Sequence, residues 1–205
     1  MIRLGLRNRD LLTLFPMIID MSTHISPKII LEAQRLILRP FQESDIPEIV
    51  HLLQDPAISE TTLNIPYPYT ESHARHWLVA QRQDWEAGRG YTFAITRRAD
   101  DQLLGAIDIR PKPRFRKAEL GYWIGKPYWG QGYATEAVRT IMRYGFETLG
   151  LNRIYASHFP ENPASGRVMQ KAGMKFEGVL RQDVCKGDRF LDHVVYGILR
   201  AEWEE

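Results

Sequence analysis

The spacing of apolar residues changes in the middle of the chain, from every second position to helical spacing. Leu120, Tyr122 and Ile124 recur at every second position, which is typical of a strand with one buried face. After a glycine-containing segment at 125–132, apolar residues recur three or four positions apart. They are Ala134, Ala137, Val138, Ile141, Met142, Gly145, Phe146 and Leu149. The pattern predicts a strand, a glycine turn and a helix in direct succession.

The rest of the chain adds further strands and helices around this unit. Apolar runs predict strands at 29–31, 36–38, 91–96, 103–109, 153–157, 174–181 and 190–199, the first two forming one strand or a hairpin. Helical spacing predicts helices at 44–53, 70–87 and 160–172. Because a helix joins the central strand to the strand at 153–157, these two strands are predicted to be parallel. The expected fold is a mixed α/β (α+β) sheet with helices on both faces.

Three local expectations depend on individual residues. The first helix is expected to end at Asp55-Pro56. The stiff segment 65–69 is expected to expose Tyr67 and Tyr69, since prolines at 66 and 68 restrict its backbone. Trp203 is expected to be exposed and available for an interface.

Length, net charge, cysteine count and hydropathy limit the kinds of protein that this chain can be. The 205 residues suffice for one domain with a sizeable core, which we place at 21–205, with residues 1–20 as an extension. A formal net charge of +2 gives no reason to expect direct nucleic-acid binding. The single cysteine, Cys185, excludes an intramolecular disulfide and is interpreted as a strand residue. Since no apolar run approaches the ~18 residues of a membrane span, we expect a cytoplasmic protein without membrane contact.

The glycine turn is a candidate anion site. Gly130 and Gly132 lie where a strand passes into a helix, so free backbone N–H groups and the positive end of a helix dipole meet there. A phosphate group fits such a site without a charged side chain. The turn lacks the Gly-Lys-Ser/Thr ending of a P-loop, and Thr135 stands where a Rossmann motif has its third glycine.

A second candidate segment begins at Asn162. Asn162 is a good helix N-cap and Pro163 suits the first helical position. Ser165 follows in the first turn, and Lys171-Ala-Gly-Met174 ends the helix. From the residues alone, this is an ordinary capped helix start.

The two segments together resemble the signature of the GNAT superfamily of N-acetyltransferases, over about residues 29–203. Pro127-Tyr-Trp-Gly-Gln-Gly132 is similar to the family's acetyl-CoA loop, with Pro127 where the family has Gln or Arg. The phrase Trp129-Gly-Gln-Gly-Tyr-Ala-Thr-Glu-Ala137 looks most like the branch of ribosomal-protein alanine/serine N-terminal acetyltransferases (RimJ/RimL-like). The resemblance implies a mostly antiparallel sheet of about seven strands, with a splay between its two central parallel strands.

The resemblance also implies a set of site residues. Acetyl-CoA would be the co-substrate, without a metal ion. Asn162 would contact the pantetheine arm, and Ser165 would protonate the leaving thiolate, with Tyr122 as the alternative acid. Glu119, just before the apolar part of the central strand, is the candidate base, ahead of Asp183 and Asp192. The residues expected to bind the co-substrate are Tyr122, Trp123, Ile124, Trp129, Gly130, Gln131, Gly132, Tyr133, Ala134, Thr135, Asn162 and Ser165.

Several acceptors remain open at this stage. The resemblance to the ribosomal-protein branch of the family favours a protein N-terminal α-amine, such as that of a ribosomal protein. Polyamines and aminoglycosides are alternatives, although segments 51–69 and 110–117 are mixed to basic and disfavour a polycation. A CoA-binding regulatory module without turnover is the alternative from another class. The protein is expected to be a monomer or a homodimer.

Overall fold

The computed structural model describes residues 29–203, which form eight strands and five α-helices. The expected extension at 1–20 lies outside the described residues. The strands are β1 (Leu31–Glu32), β2 (Leu36–Arg39), β3 (Tyr91–Arg97), β4 (Leu103–Lys112), β5 (Lys117–Ile124), β6 (Arg153–His158), β7 (Lys175–Lys186) and β8 (Arg189–Leu199). The helices are α1 (Ile46–Leu52), α2 (Pro56–Thr61), α3 (Glu71–Glu86), α4 (Tyr133–Arg143) and α5 (Pro163–Lys171).

All eight strands belong to one sheet with the order β1-β2-β3-β4-β5-β6-β8-β7. Every neighbouring pair is antiparallel except β5 and β6, which are parallel as predicted. The expected count of about seven strands was one too low, since β1 and β2 are two separate strands that pair as a hairpin. The prediction of a mixed, mostly antiparallel α/β sheet is confirmed.

Two hydrophobic cores lie on opposite faces of the sheet. On one face, α4 and α5 cover a core that contains Leu120, Ile124, Val138 and Met169. On the other face, α1, α2 and α3 cover a smaller core that includes Ala94 and Leu103 and packs against Trp123. Successive side chains of a strand point to opposite faces, so even-numbered residues of β5 face α4 and odd-numbered residues face α3. This alternation assigns each functional side chain to a face.

Two local expectations were wrong and one was incomplete. The first helix ends before Asp55-Pro56 as expected, at Leu52, but Asp55 also caps a further helix, α2, because its side chain accepts a hydrogen bond from the Ala57 N–H at 3.0 Å. Tyr69 is buried against the smaller core, while Tyr67 is exposed as expected. Trp203 is half-buried, with its ring 5.7 Å from that of Phe146, so it belongs to the main core rather than to an exposed surface.

Candidate active site

A gap between β5 and β6 is the central feature of the site. The two strands pair only at Lys117–Arg153, Ala118–Ile154 and Glu119–Tyr155, and diverge beyond Glu119. The Gly125 N–H donates to the Leu104 carbonyl of β4 at 2.8 Å. Since backbone groups alternate sides along a strand, those of Trp123 face β4, whereas those of Tyr122 and Ile124 face the gap. The gap therefore offers a strand edge to an extended ligand.

A cavity of about 1140 Å³ passes through this gap from one face of the sheet to the other. Its volume is slightly above the ~300–1,000 Å³ range of ligand pockets and is enough for two substrates to meet. Eleven of the twelve residues expected to bind the co-substrate line it, namely Tyr122, Trp123, Ile124, Trp129, Gly130, Gly132, Tyr133, Ala134, Thr135, Asn162 and Ser165. The exception is Gln131, whose side-chain amide donates to the Pro127 carbonyl at 3.1 Å.

The glycine turn at one end of the cavity is built for close backbone approach. Gly130 and Gly132 have φ values of 75° and 82°, a left-handed conformation that glycine adopts without strain. A Cβ at Gly130 would meet nothing within 4 Å, so the space above the turn is open. The first amides of α4, at Tyr133, Ala134 and Thr135, have no acceptor within the helix. These groups fit a pyrophosphate, because they offer donors and a helix dipole, and because the carboxylate in the first turn of α4, Glu136, is paired with Arg35.

Arg35, from the turn between β1 and β2, braces this segment and was not expected from the sequence. Its Nε donates to the Glu136 carboxylate at 2.8 Å and its Nη1 donates to the Gln131 carbonyl at 3.0 Å. The guanidinium also lies over the Tyr133 ring, 4.7 Å from its centre. The contact joins residues 101 positions apart, so no local pattern could have indicated it.

Two hydroxyl groups meet on the α5 side of the gap. The Tyr122 and Ser165 oxygens are 2.7 Å apart, and the Tyr122 hydroxyl is also 3.1 Å from the Ser165 carbonyl oxygen. Burial raises the pKa of Tyr122 to about 12, so its hydroxyl keeps its proton at neutral pH. Asn162 caps α5 by accepting a hydrogen bond from the Ser165 N–H at 3.3 Å. The cap thereby fixes the start of the helix that holds the Ser165 side chain at the gap.

Acidic side chains lie on the opposite, α3-facing side of the same gap. Glu119, at the point where β5 and β6 diverge, accepts a hydrogen bond from the Tyr155 hydroxyl at 3.3 Å. Lys112 in turn donates to the Tyr155 oxygen at 2.7 Å. Glu119 is therefore held in a chain of contacts that ends in a cation.

Asp108 is a second carboxylate in this part of the cavity, and sequence reasoning missed it. It is 23% exposed and lies 3.2 Å from the Arg110 Nε. A Cβ on Gly121, its partner across the β4–β5 pair, would lie 3.4 Å from both carboxylate oxygens, so the glycine leaves this acid open to the cavity. Burial raises the pKa of Asp108, the nearby Arg110 opposes the rise, and the negative charge of Glu119 adds to it. Only the strand register brings Asp108 next to Glu119.

The rim of the α3-facing side is closed by a contact between distant elements. The Lys186 ammonium, near the tip of the β7–β8 hairpin, donates to the carbonyls of Ser59 and, at 2.7 Å, Thr62 at the end of α2. Segment 62–66, directly after α2, lines the cavity. His193 adds an aromatic wall, since its ring stacks on Phe159 with centres 5.5 Å apart. The rim is thus assembled from the end of α2 and the C-terminal hairpin.

The weaker candidate bases do not line the cavity themselves, although one of them contacts the lining residue His193. Asp183 is 2.9 Å from the His193 Nδ1, and Asp192 accepts a hydrogen bond from the Gln182 N–H at 2.8 Å. Both carboxylates thus serve contacts within the hairpin. Cys185 is an exposed residue of β7, as expected. Within residues 29–203, no group of three His, Cys, Asp or Glu side chains is arranged to hold a metal ion.

Comparison with known sequences places this geometry in context. The acetyltransferase (GNAT) domain family matches residues 35–175. The uncharacterized N-acetyltransferase YoaA of Bacillus subtilis is 32% identical over 176 residues, which cover 83% of this chain and 97% of the relative. The ribosomal protein uS5-alanine N-acetyltransferase of Escherichia coli is 26% identical over 118 residues, covering 57% of this chain and 61% of the relative.

Solved structures share the fold over most of the chain. An acetyltransferase (GNAT family) from Bacillus anthracis superposes with a TM-score of 0.76 at 26% identity, covering 84% of this chain and 99% of that one. A putative ribosomal-protein-serine acetyltransferase from Vibrio cholerae gives a TM-score of 0.73 at 25% identity, covering 85% of this chain and 99% of that one.

Within residues 29–203, no helix is both long and apolar enough to cross a bilayer.

Proposed function

The chain belongs to the GNAT family of N-acetyltransferases, and from that premise we propose that it moves an acetyl group from acetyl-CoA directly to the N-terminal α-amine of a protein. The proposed catalytic domain comprises residues 21–205. Its membership of a family of N-acetyltransferases leaves no support for a regulatory module without turnover. The proposal concerns the donor, the acceptor and the residues that act on them.

One observation carries the proposal. The cavity runs through the β5–β6 gap and joins the glycine turn and the Tyr122–Ser165 pair on one face to Asp108 and Glu119 on the other. A donor that enters from the α4 side and an amine that enters from the α3 side would meet in the gap. Direct transfer requires such a meeting, because holding the two reactants together removes most of the entropic cost of the reaction.

The donor side is argued from backbone groups. The amides of Gly132 to Thr135 would hold the pyrophosphate, with Arg35 keeping the turn in shape. The gap-facing edge of Tyr122 and Ile124 would pair with the amides of the pantetheine arm as an added strand would. Acetyl-CoA supplies an acetyl group that is activated as a thioester.

The face of the sheet on which each side chain lies indicates its proposed role. Glu119, with Asp108 beside it, would attract the acceptor ammonium and take its proton, because only the neutral amine is a nucleophile. As the new N–C bond forms and the C–S bond breaks, Ser165 would give a proton to the sulfur. Tyr122 would hold the Ser165 hydroxyl in place. The acceptor ammonium loses two protons in all: Glu119 takes the first before the attack, and the second leaves as the amide forms. The sulfur takes up one proton from Ser165, which regains it from the solvent, so the reaction releases one proton overall.

A protein N-terminus is the proposed acceptor because relatives include a ribosomal protein alanine N-acetyltransferase and because the site suits one ammonium rather than several. Arg110 lies beside Asp108, and Lys112 is joined to Glu119 through Tyr155. Polyamines and aminoglycosides carry several positive charges, which these cations would repel. A single α-amine at the end of a polypeptide avoids that repulsion.

The test is acetyl transfer from acetyl-CoA to a panel of amines, followed by thiol release and product mass. The panel contains three kinds of amine. They are N-terminal peptides of ribosomal proteins that carry one internal lysine, the polyamine spermidine, and an aminoglycoside. We expect acetylation of a peptide α-amine, located by fragmentation of the product, and none of the lysine. Transfer to spermidine or the aminoglycoside alone would leave the enzyme class intact and overturn the acceptor.

A further inference from the structure

A basic surface continues the α3-facing side of the cavity along the β4–β5 hairpin. We define it as the hairpin surface, formed by Lys112, Arg114, Phe115, Arg116 and Lys117. The segment 112–117 carries four cations and no carboxylate, although the whole chain has a net charge of only +2. The rest of the chain is therefore net negative, and positive charge is concentrated beside the site.

The cations of this surface are largely uncompensated. Within residues 29–203, none of Arg114, Arg116 and Lys117 has a carboxylate oxygen within 4.0 Å, although Arg116 donates to the Gly150 carbonyl at 3.0 Å. Phe115, at the tip, is 63% exposed, and Arg114 and Lys117 both lie 5.5 Å from its ring centre. The two cations lie against the ring, so the ring and the charges form one continuous exposed surface.

The hairpin surface is continuous with the proposed acceptor site. Lys112 and Lys117 are partners in the β4–β5 pair, as are Arg110 and Glu119 one step closer to the cavity. Paired residues share a face, so these side chains form a line that starts at Asp108 and ends at the tip. Tyr155 links the two parts, because its hydroxyl contacts both Lys112 and Glu119.

The charge of the side chains changes sign along this line. Its inner end carries Asp108 and Glu119, which suit an ammonium, and its outer end carries Lys112, Lys117 and Arg114. Successive same-face residues of a strand are about 6.7 Å apart, close to the advance of two residues in an extended peptide. A peptide whose amine lies at Glu119 would therefore pass the hairpin surface with its residues from about the third onward.

From this arrangement, and resting on the proposed acceptor class, we propose that the hairpin surface binds an acidic segment that directly follows the acceptor N-terminus. The enzyme would then select polypeptides with a free α-amine and with Asp or Glu a few residues downstream. A polypeptide is favoured over RNA because the surface lies on the acceptor side of the cavity and because Phe115 is the single exposed ring among its residues, whereas single-stranded RNA binding uses several stacking rings.

The test compares two twelve-residue peptides that share their first three residues. One has Glu at positions four to eight and the other has Gln. We expect the wild type to use the acidic peptide with a kcat/KM about three- to tenfold higher through KM, as two exposed charge pairs would give. Arg114→Gln/Lys117→Gln should bring the ratio close to one, and the matched double variant Arg82→Gln/Arg181→Gln should keep it. A wild-type ratio near one, or loss of the ratio in both double variants, would overturn the proposal.

A binding experiment separates this inference from the proposed function. Fluorescence anisotropy of the acidic peptide with a blocked N-terminus reports docking without turnover. Binding that weakens with salt and in Arg114→Gln/Lys117→Gln supports the surface even if no peptide is acetylated. No binding, or a single-stranded RNA of equal charge that binds more tightly through the same two residues, refutes it.

Discussion

The Tyr122–Ser165 pair gives the sharpest test of the proposed chemistry. If Ser165 protonates the leaving sulfur and Tyr122 holds the Ser165 hydroxyl in place, Ser165→Ala and Tyr122→Phe should each lower kcat. General acid catalysis contributes about 10²–10⁴-fold, and we expect the low end of that range because a water molecule can replace a serine hydroxyl. A loss of about 10² corresponds to about 2.7 kcal/mol of transition-state stabilisation.

The structure also predicts what each substitution does to stability. In Ser165→Ala, the Tyr122 hydroxyl keeps the Ser165 carbonyl, 3.1 Å away, as a partner, so little stability is lost. Tyr122→Phe removes the partner of the Ser165 hydroxyl, which costs about 1 kcal/mol and about 2–4 °C of Tm. Ser165→Ala should therefore lose activity without losing stability, which separates a catalytic role from a structural one.

The assay is thiol release at saturating acetyl-CoA, with Tm measured by circular dichroism. Since the two hydroxyls act as one unit, the double variant should lose hardly more activity than Ser165→Ala alone. The loss should be constant from about pH 6 to 9, because burial raises the pKa of Tyr122 to about 12 and the hydroxyl stays protonated throughout.

Tyr91→Phe is the matched control, since Tyr91 packs against Trp85 outside the cavity lining. It should leave kcat unchanged. A Ser165→Ala enzyme with kcat within about threefold of the wild type would refute the role of Ser165, because the loss would be less than about 0.7 kcal/mol.

Two further predictions concern the other face and the core. Because burial raises the pKa of Asp108, its protonation favours the folded state; this contribution is full below about pH 3.9 and is lost as pH rises through the folded pKa. The stability of the wild type relative to Asp108→Asn should therefore fall as pH rises above about 4 in urea titrations, and a constant difference would contradict it. Gly145→Ala should lower the free energy of unfolding by about 1–3 kcal/mol, because a Cβ there would lie 2.8 Å from Ile154 Cδ1. In the control Gly90→Ala, the added Cβ would lie 3.5 Å from its nearest neighbour, so this variant should unfold as the wild type does.

Local pattern was a good guide where the determining contacts are local. The strand–turn–helix unit around Gly130 and Gly132 followed from spacing and from glycine's access to positive φ, and the structure has it. Asn162 was expected to cap α5, and it does, because the cap depends only on the residue three positions on. The parallel pairing of β5 and β6 followed from the helix between them.

Local pattern failed where a tertiary contact decides. Tyr69 follows a proline in a stiff segment, yet it is buried, because α1, α2 and α3 enclose it. Trp203 was expected at the surface but packs on Phe146, across 57 positions of sequence. Asp55-Pro56 follows the end of α1, as expected, and also starts α2, which was not predicted from the sequence.

The sequence by itself determined the order of the strands, the glycine turn before α4 and the family signature, because each depends on residues within one or two turns of backbone. Tertiary structure decided which side chains share the cavity. Arg35 reaches Glu136 over 101 positions, and Lys186 reaches Ser59 over 127. The register of β4 and β5 alone places Asp108 beside Glu119, and it places Lys112 on the same face of the sheet. Such neighbours are fixed by the packing of the whole sheet, which minimises exposed apolar surface across the chain, and no short stretch of sequence encodes that global minimum.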